Sequence, residues 1–103
     1  MIELTTDTFG EILEGNERVV VLYGATWCGN CRLLKPKFKR FASEYEDITF
    51  VYVDAEKFPN SRAFAQVDNL PTFAGWHNKE FLGQDQGNKV DNLKAIIDAV
   101  ANH

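Results

Sequence analysis

The stretch Val19-Val20-Val21-Leu22-Tyr23-Gly24-Ala25-Thr26-Trp27-Cys28-Gly29-Asn30-Cys31 decides how the chain is read. Its first five residues are apolar without alternation, which suits a strand covered on both faces in the middle of a sheet. Its end holds the chain's only two cysteines, three positions apart. Two cysteines placed at random in a chain of this length land at that spacing about 2% of the time. A disulfide across so short a loop constrains the unfolded chain little. Chemistry explains the pair better than stapling does.

Outward from this stretch, strands and helices alternate. From Cys28 to about Tyr45, Leu33, Leu34, Phe38, Phe41, Ala42 and Tyr45 recur at helical spacing, with Pro36 inside the pattern and a kink expected there. Before it, residues 2–4 read as a short strand. Thr5-Thr6-Asp7 offers N-caps for a helix through Ile12 and Leu13 that stops near Gly15. Ile48 to Val53 is a second apolar strand, and residues 58–66 suggest a short helix. Pro71 to His77 and Glu80 to Gln86 read as a hairpin around Asn78-Lys79, a less usual turn because lysine does not favour positive φ. A last helix is expected after Asn88, with Asp91 completing a box-like cap and Val90, Leu93, Ile96, Ile97 and Val100 on its apolar face. The order β-α-β-α-β-α-β-β-α predicts an α/β domain over residues 1–103, with a mostly parallel sheet made mixed by the final hairpin.

Composition narrows the function. The 103 residues are 45% hydrophobic and 25% charged, the balance of a globular protein. Net charge is −4 and the 11 basic residues are scattered, which argues against binding nucleic acid or a membrane surface. No run approaches the roughly 18 apolar residues of a membrane span. Met1-Ile2-Glu3-Leu4 does not resemble a signal peptide, so a cytoplasmic location is the expectation.

With Cys28 where the long helix begins, the unpaired N–H groups of the first turn point at its sulfur and the helix dipole adds partial positive charge. Both favour the thiolate, the form that attacks a disulfide. Cys31, one turn on, can then attack the mixed disulfide and close a ring with Cys28. Gly29 keeps the loop open for a substrate backbone, and Trp27 shields one side of the sulfur. Two other readings stay open. A C-x-x-C pair is also half of a zinc site, although only His77 and His103 remain as further imidazole ligands. The pair could also be inert buried thiols. Taken alone, His77 reads as a solvated hairpin residue and His103 as a frayed end.

Ala25-Thr26-Trp27-Cys28-Gly29-Asn30-Cys31 resembles the thioredoxin active-site motif W-C-G-P-C with one substitution. Pro36 matches the family's helix proline, Asp54 its strand-end aspartate, Leu70-Pro71-Thr72 its cis-proline loop and Gly87 the glycine after the last strand. The element order agrees over essentially the whole chain. The resemblance implies a thioredoxin fold, a mixed five-stranded sheet flanked by four helices. It implies a protein-disulfide reductase in which Cys28 is the nucleophile and Cys31 resolves, with no bound cofactor or metal beyond the redox-active disulfide. It further implies that Pro71 is cis against the cysteines, that the Leu70 backbone pairs with extended substrate, and that Trp27, Gly29, Asn30 and Gly87 complete a shallow docking surface. Disulfide-containing proteins would be substrates, a thioredoxin-reductase-like dithiol donor would recharge the protein, and it would act as a monomer. An oxidase or isomerase, or a partner-binding module with incidental redox chemistry, are the alternatives. Blander readings of Leu70 and Trp27 are ordinary packing.

Four positions depart from the family pattern. Leu22 stands where the family usually has a buried aspartate, and Phe50 where it commonly has the accompanying lysine. Losing both together leaves neither partner unsatisfied, but removes the usual proton acceptor for Cys31. Gly24 replaces a frequent tryptophan and is expected to loosen packing under the loop. Asn30 replaces proline and has an N–H, which is expected to donate to Cys28 Sγ, stabilise the thiolate and raise the reduction potential above the roughly −270 mV of thioredoxin. The blander reading is that Asn30 merely tolerates the helix start.

Overall fold

The computed structural model describes all residues 1–103. Along the chain run β1 (Ile2–Glu3), α1 (Phe9–Gly15), β2 (Arg18–Gly24), α2 (Gly29–Glu44), β3 (Thr49–Asp54), α3 (Pro59–Arg62), β4 (Thr72–His77), β5 (Glu80–Gln86) and α4 (Val90–Ala101). The five strands form one sheet in the order β1-β3-β2-β4-β5. The β1–β3 and β3–β2 ladders are parallel, and the β2–β4 and β4–β5 ladders antiparallel. Only β4 therefore runs against the other strands.

β2 is central and covered on both sides, as its continuous apolar run requires. Val19, Val21 and Tyr23 face one core with Phe9, Leu13, Val51, Val53 and Trp76. Val20 and Leu22 face the other with Leu34, Phe38, Phe50, Leu93 and Ile97. Burying side chains of this size contributes about 1.5–3 kcal/mol each before entropy is counted. The end of β2 is thus a rigid platform for the loop that follows.

The helix starts depart from the sequence expectations. α1 begins at Phe9 with Thr8 before it and no side-chain cap. Asp7 instead reaches across space to α3, accepting from the Asn60 N–H at 2.9 Å and the Ser61 N–H at 2.6 Å. Desolvation opposes ionisation of Asp7, but the hydrogen bonds from the Ser61 side chain and the Asn60 and Ser61 backbone prevail and hold its carboxyl below the ordinary value. Ser61 also accepts from the Phe9 N–H, and its carbonyl accepts from the buried Tyr23 hydroxyl at 2.7 Å. α3 is shorter than residues 58–66, because the chain turns out of it after Arg62. α4 starts at Val90 after Lys89, without the box-like cap expected from Asn88 and Asp91. Leu33 is exposed rather than part of the apolar stripe of α2. It falls one position off the row that Leu34 and Phe38 bury.

The β4–β5 turn places Asn78 and Lys79 at φ 49° and 71°. Lysine is held in this unfavourable region by tethers: the Asn78 N–H donates to the Glu17 carbonyl at 2.7 Å, and Lys79 Nζ to Glu14 at 3.0 Å.

Candidate functional site

The loop after β2 brings the two cysteines to the start of α2. The Cys28 N–H closes a turn onto the Ala25 carbonyl at 3.2 Å, which aims the chain into the helix. Cys28 is the N-cap residue, with extended backbone (φ −86°, ψ 109°), and its Sγ accepts from the Cys31 N–H at 3.2 Å. The sulfur occupies the place that a Ser or Asp oxygen takes at ordinary helix starts. Cys28 and Cys31 form a disulfide with a Cα–Cα distance of 5.2 Å. Cys28 is 6% exposed and Cys31 1%. Ala25 and Leu70 pack against the pair.

The donor to Cys28 Sγ is therefore the third residue of the cap, Cys31, and not Asn30. The electrostatic case for a raised reduction potential then rests on the apolar residue at 22 rather than on residue 30. The Asn30 side chain has another role: its Oδ1 accepts from Asn88 Nδ2 at 3.3 Å. This bond joins the helix start to the loop after β5 and draws in Asn88, a residue that sequence reasoning assigned only to a helix cap.

The remaining positions converge on the same end of the sheet. The Leu70–Pro71 bond is cis, and Pro71 is buried just before β4. The Pro71 carbonyl accepts from the Gly87 N–H at 3.0 Å. Gly87 has φ 101°, a backbone state that glycine alone adopts readily. Gly29 is exposed at the first helical position, with open space where a side chain would lie. Trp27 is 62% exposed, and its indole N–H donates to Glu56 Oε1 at 2.6 Å. That bond, 29 residues apart in sequence, orients the ring beside the cysteine loop.

Beneath the loop, Leu22 and Phe50 lie fully inside the apolar core. Gly24 does not loosen the packing, contrary to expectation. A Cβ there would collide with the Tyr52 phenol, which fills the space. Lys35 Nζ lies 4.2 Å from the Tyr52 ring centroid and pairs with Glu3. Burial, then the nearby Asp54 and Glu3 charges, push the Tyr52 hydroxyl above its ordinary value.

His77 and His103 do not join the cysteines. Their rings lie 5.0 Å apart, and His77 Nε2 is 3.1 Å from Glu17 Oε2. His77 pairs in register with Arg18, the first residue of β2, whereas the cysteine loop leaves the other end of that strand. The seven residues between span about 20 Å, so these imidazoles cannot complete a metal site with Cys28 and Cys31. Neither is simply solvated or frayed: His77 is half-buried, and the His103 carbonyl accepts from Arg18. No helix is long and apolar enough to cross a membrane.

Comparison with known proteins agrees with this geometry. The Thioredoxin family model matches residues 1–99. Thioredoxin-1 of Schizosaccharomyces pombe is 35% identical over 101 residues, covering 96% of this chain and 98% of that protein. Thioredoxin of Callithrix jacchus is 32% identical over 93 residues, covering 88% and 89%. Among solved structures, reduced Schistosoma mansoni thioredoxin pre-protein superposes with a TM-score of 0.85 at 33% identity, covering 96% of both chains. Plasmodium falciparum thioredoxin superposes with a TM-score of 0.88 at 25% identity, covering 95% and 97%. A mixed five-stranded sheet with four helices, a Cys28–Cys31 disulfide at the start of the second helix and end-to-end similarity to these proteins place the chain in the thioredoxin family, as a protein-disulfide oxidoreductase.

Proposed function

We propose that the chain reduces protein disulfides with Cys28 as nucleophile and Cys31 as resolving thiol, residues 1–103 working as one monomeric thioredoxin-like unit. In the dithiol form, the Cys28 thiolate attacks one sulfur of the substrate disulfide and expels the other as a thiolate. Cys31 then loses its proton and attacks Cys28 Sγ, expelling the second substrate thiolate and forming the Cys28–Cys31 disulfide. Two electrons pass to the substrate. With Leu22 and Phe50 apolar, the Cys31 proton goes to water or to a departing thiolate. A dithiol donor of the thioredoxin-reductase kind returns the protein to its reduced form. Trp27, Gly29, Asn30, Leu70, Pro71 and Gly87 form the docking surface, with the Leu70 backbone pairing to extended substrate.

The observation that supports this reading most is the position of Cys28 Sγ as acceptor at the N-terminus of α2, bonded to a cysteine one turn on. Family membership supports disulfide substrates and a reductase donor. A cytoplasmic place in electron transport and redox homeostasis is part of the same proposal.

The test is reduction of an interchain protein disulfide by catalytic amounts of the protein, with a dithiol donor in excess. Wild type is expected to accelerate the reaction at least tenfold over donor alone, and Cys28→Ser to return it to the donor-only rate. Retained acceleration in Cys28→Ser contradicts the assignment. The oxidase reading is favoured by one observation, the absence of a buried acid at Leu22. A redox titration giving a potential well above roughly −270 mV supports it.

A further inference from the structure

Beside the cysteine loop, on the β3–β1 side of the sheet, lies a pocket of about 650 Å³, within the size range of ligand sites. It shares no residue with the docking surface described above. Ala25, which packs against both cysteines, lines it, as does Thr26. So does Arg32, whose N–H donates to the Cys28 carbonyl at 3.2 Å. In the sheet order the pocket lies to the β3–β1 side of the loop after β2, and Leu70, Pro71 and Gly87 lie to its β4–β5 side.

The charge of the pocket runs against that of the chain. Three cations (Arg32, Lys35 and Lys57) face two carboxylates (Glu3 and Asp54), in a protein of net charge −4. Lys35 is occupied by Glu3 and the Tyr52 ring. Asp54 is turned to its own loop, its Oδ1 accepting from the Glu56 and Lys57 N–H groups at 2.9 and 3.1 Å. The side chains of Arg32 and Lys57 are exposed and engage no carboxylate of this chain within 4.0 Å. Two residues whose cationic side chains are unpaired thus line one pocket from different elements, α2 and the loop after β3.

We propose that this pocket is a second substrate subsite that takes a carboxylate side chain, so that the protein prefers disulfide peptides with Glu or Asp beside the attacked cysteine. A guanidinium and an ammonium can hold one carboxylate together, the first through paired N–H groups and the second as a point charge. Exposed pairs of this kind are individually weak. Two acting on one carboxylate amount to a preference of about fivefold, carried by KM rather than kcat. The inference rests on the reductase reading above.

The test uses two disulfide peptides that differ only in Glu or Gln beside the cysteine. The expected result is a kcat/KM about fivefold higher for the Glu peptide, falling to near parity in Arg32→Gln/Lys57→Gln and in wild type at 0.5 M salt. Comparing two peptides on one enzyme cancels any effect of the variant on Cys28 itself. Equal kcat/KM for the two peptides in wild type, or an undiminished preference in the double variant, overturns the subsite and leaves the reductase intact. No turnover of either peptide by wild type overturns the reductase reading and the subsite with it.

Discussion

Replacing Cys31 with serine is expected to turn the protein from a turnover catalyst into a trap. Cys28 stays at the N-cap, where the residue 31 backbone N–H donates to its sulfur. A serine at 31 keeps that N–H and removes only the resolving sulfur. The first step, attack on substrate, therefore proceeds and the second cannot. Turnover should fall by at least a hundredfold, and a covalent substrate–Cys28 adduct should accumulate, visible by intact mass and released by added dithiol. Cys28→Ser should lose turnover equally but form no adduct. An adduct in Cys28→Ser and none in Cys31→Ser would reverse the two roles.

Leu22→Asp is expected to cause the largest loss of stability of any single change near the site. Leu22 is fully buried among apolar side chains that include Phe50. The substitution removes about 1.5–3 kcal/mol of apolar burial and leaves a carboxylate without a partner. An unpaired buried charge costs about 3–5 kcal/mol, part of which is avoided by protonation. A net loss of about 4 kcal/mol is expected by chemical denaturation at pH 7. Because burial raises the new carboxyl's pKa, the loss should shrink as pH falls and the neutral acid forms. The β2–β3 register pairs Leu22 with Tyr52 and Val20 with Phe50, so residues 22 and 50 are diagonal neighbours. Leu22→Asp/Phe50→Lys should therefore recover about 1–3 kcal/mol relative to the sum of the single variants. Strict additivity would show that the two positions are not an exchanged pair.

The fold was legible where local pattern and burial agree. The run from Val19 to Tyr23 suits a strand with both faces covered, and β2 is that strand. The cysteine spacing placed the pair at a helix start, because helix caps are properties of adjacent residues; the cis bond before Pro71 was expected only from the resemblance to thioredoxins. What escaped depends on contacts between distant residues. Asp7 looked like a cap for the helix beside it, yet it caps α3 across more than 50 positions. Asn88 looked like the start of α4, but its amide bonds Asn30. Gly24 implied a void, because nothing in the sequence says that Tyr52 occupies it. The donor to Cys28 Sγ was placed one residue early, since an N-cap side chain can accept from either the second or third helical N–H.

The central claim is that a helix terminus lets Cys28 carry negative charge near neutral pH. The most direct measurement is the pH dependence of iodoacetamide alkylation of the reduced protein, with the modified cysteine identified by peptide mass. The account predicts that Cys28 is alkylated first, with its half-maximal rate below the roughly pH 8.5 of a free cysteine. Half-maximal reactivity at or above that pH, or modification of Cys31 ahead of Cys28, would contradict it.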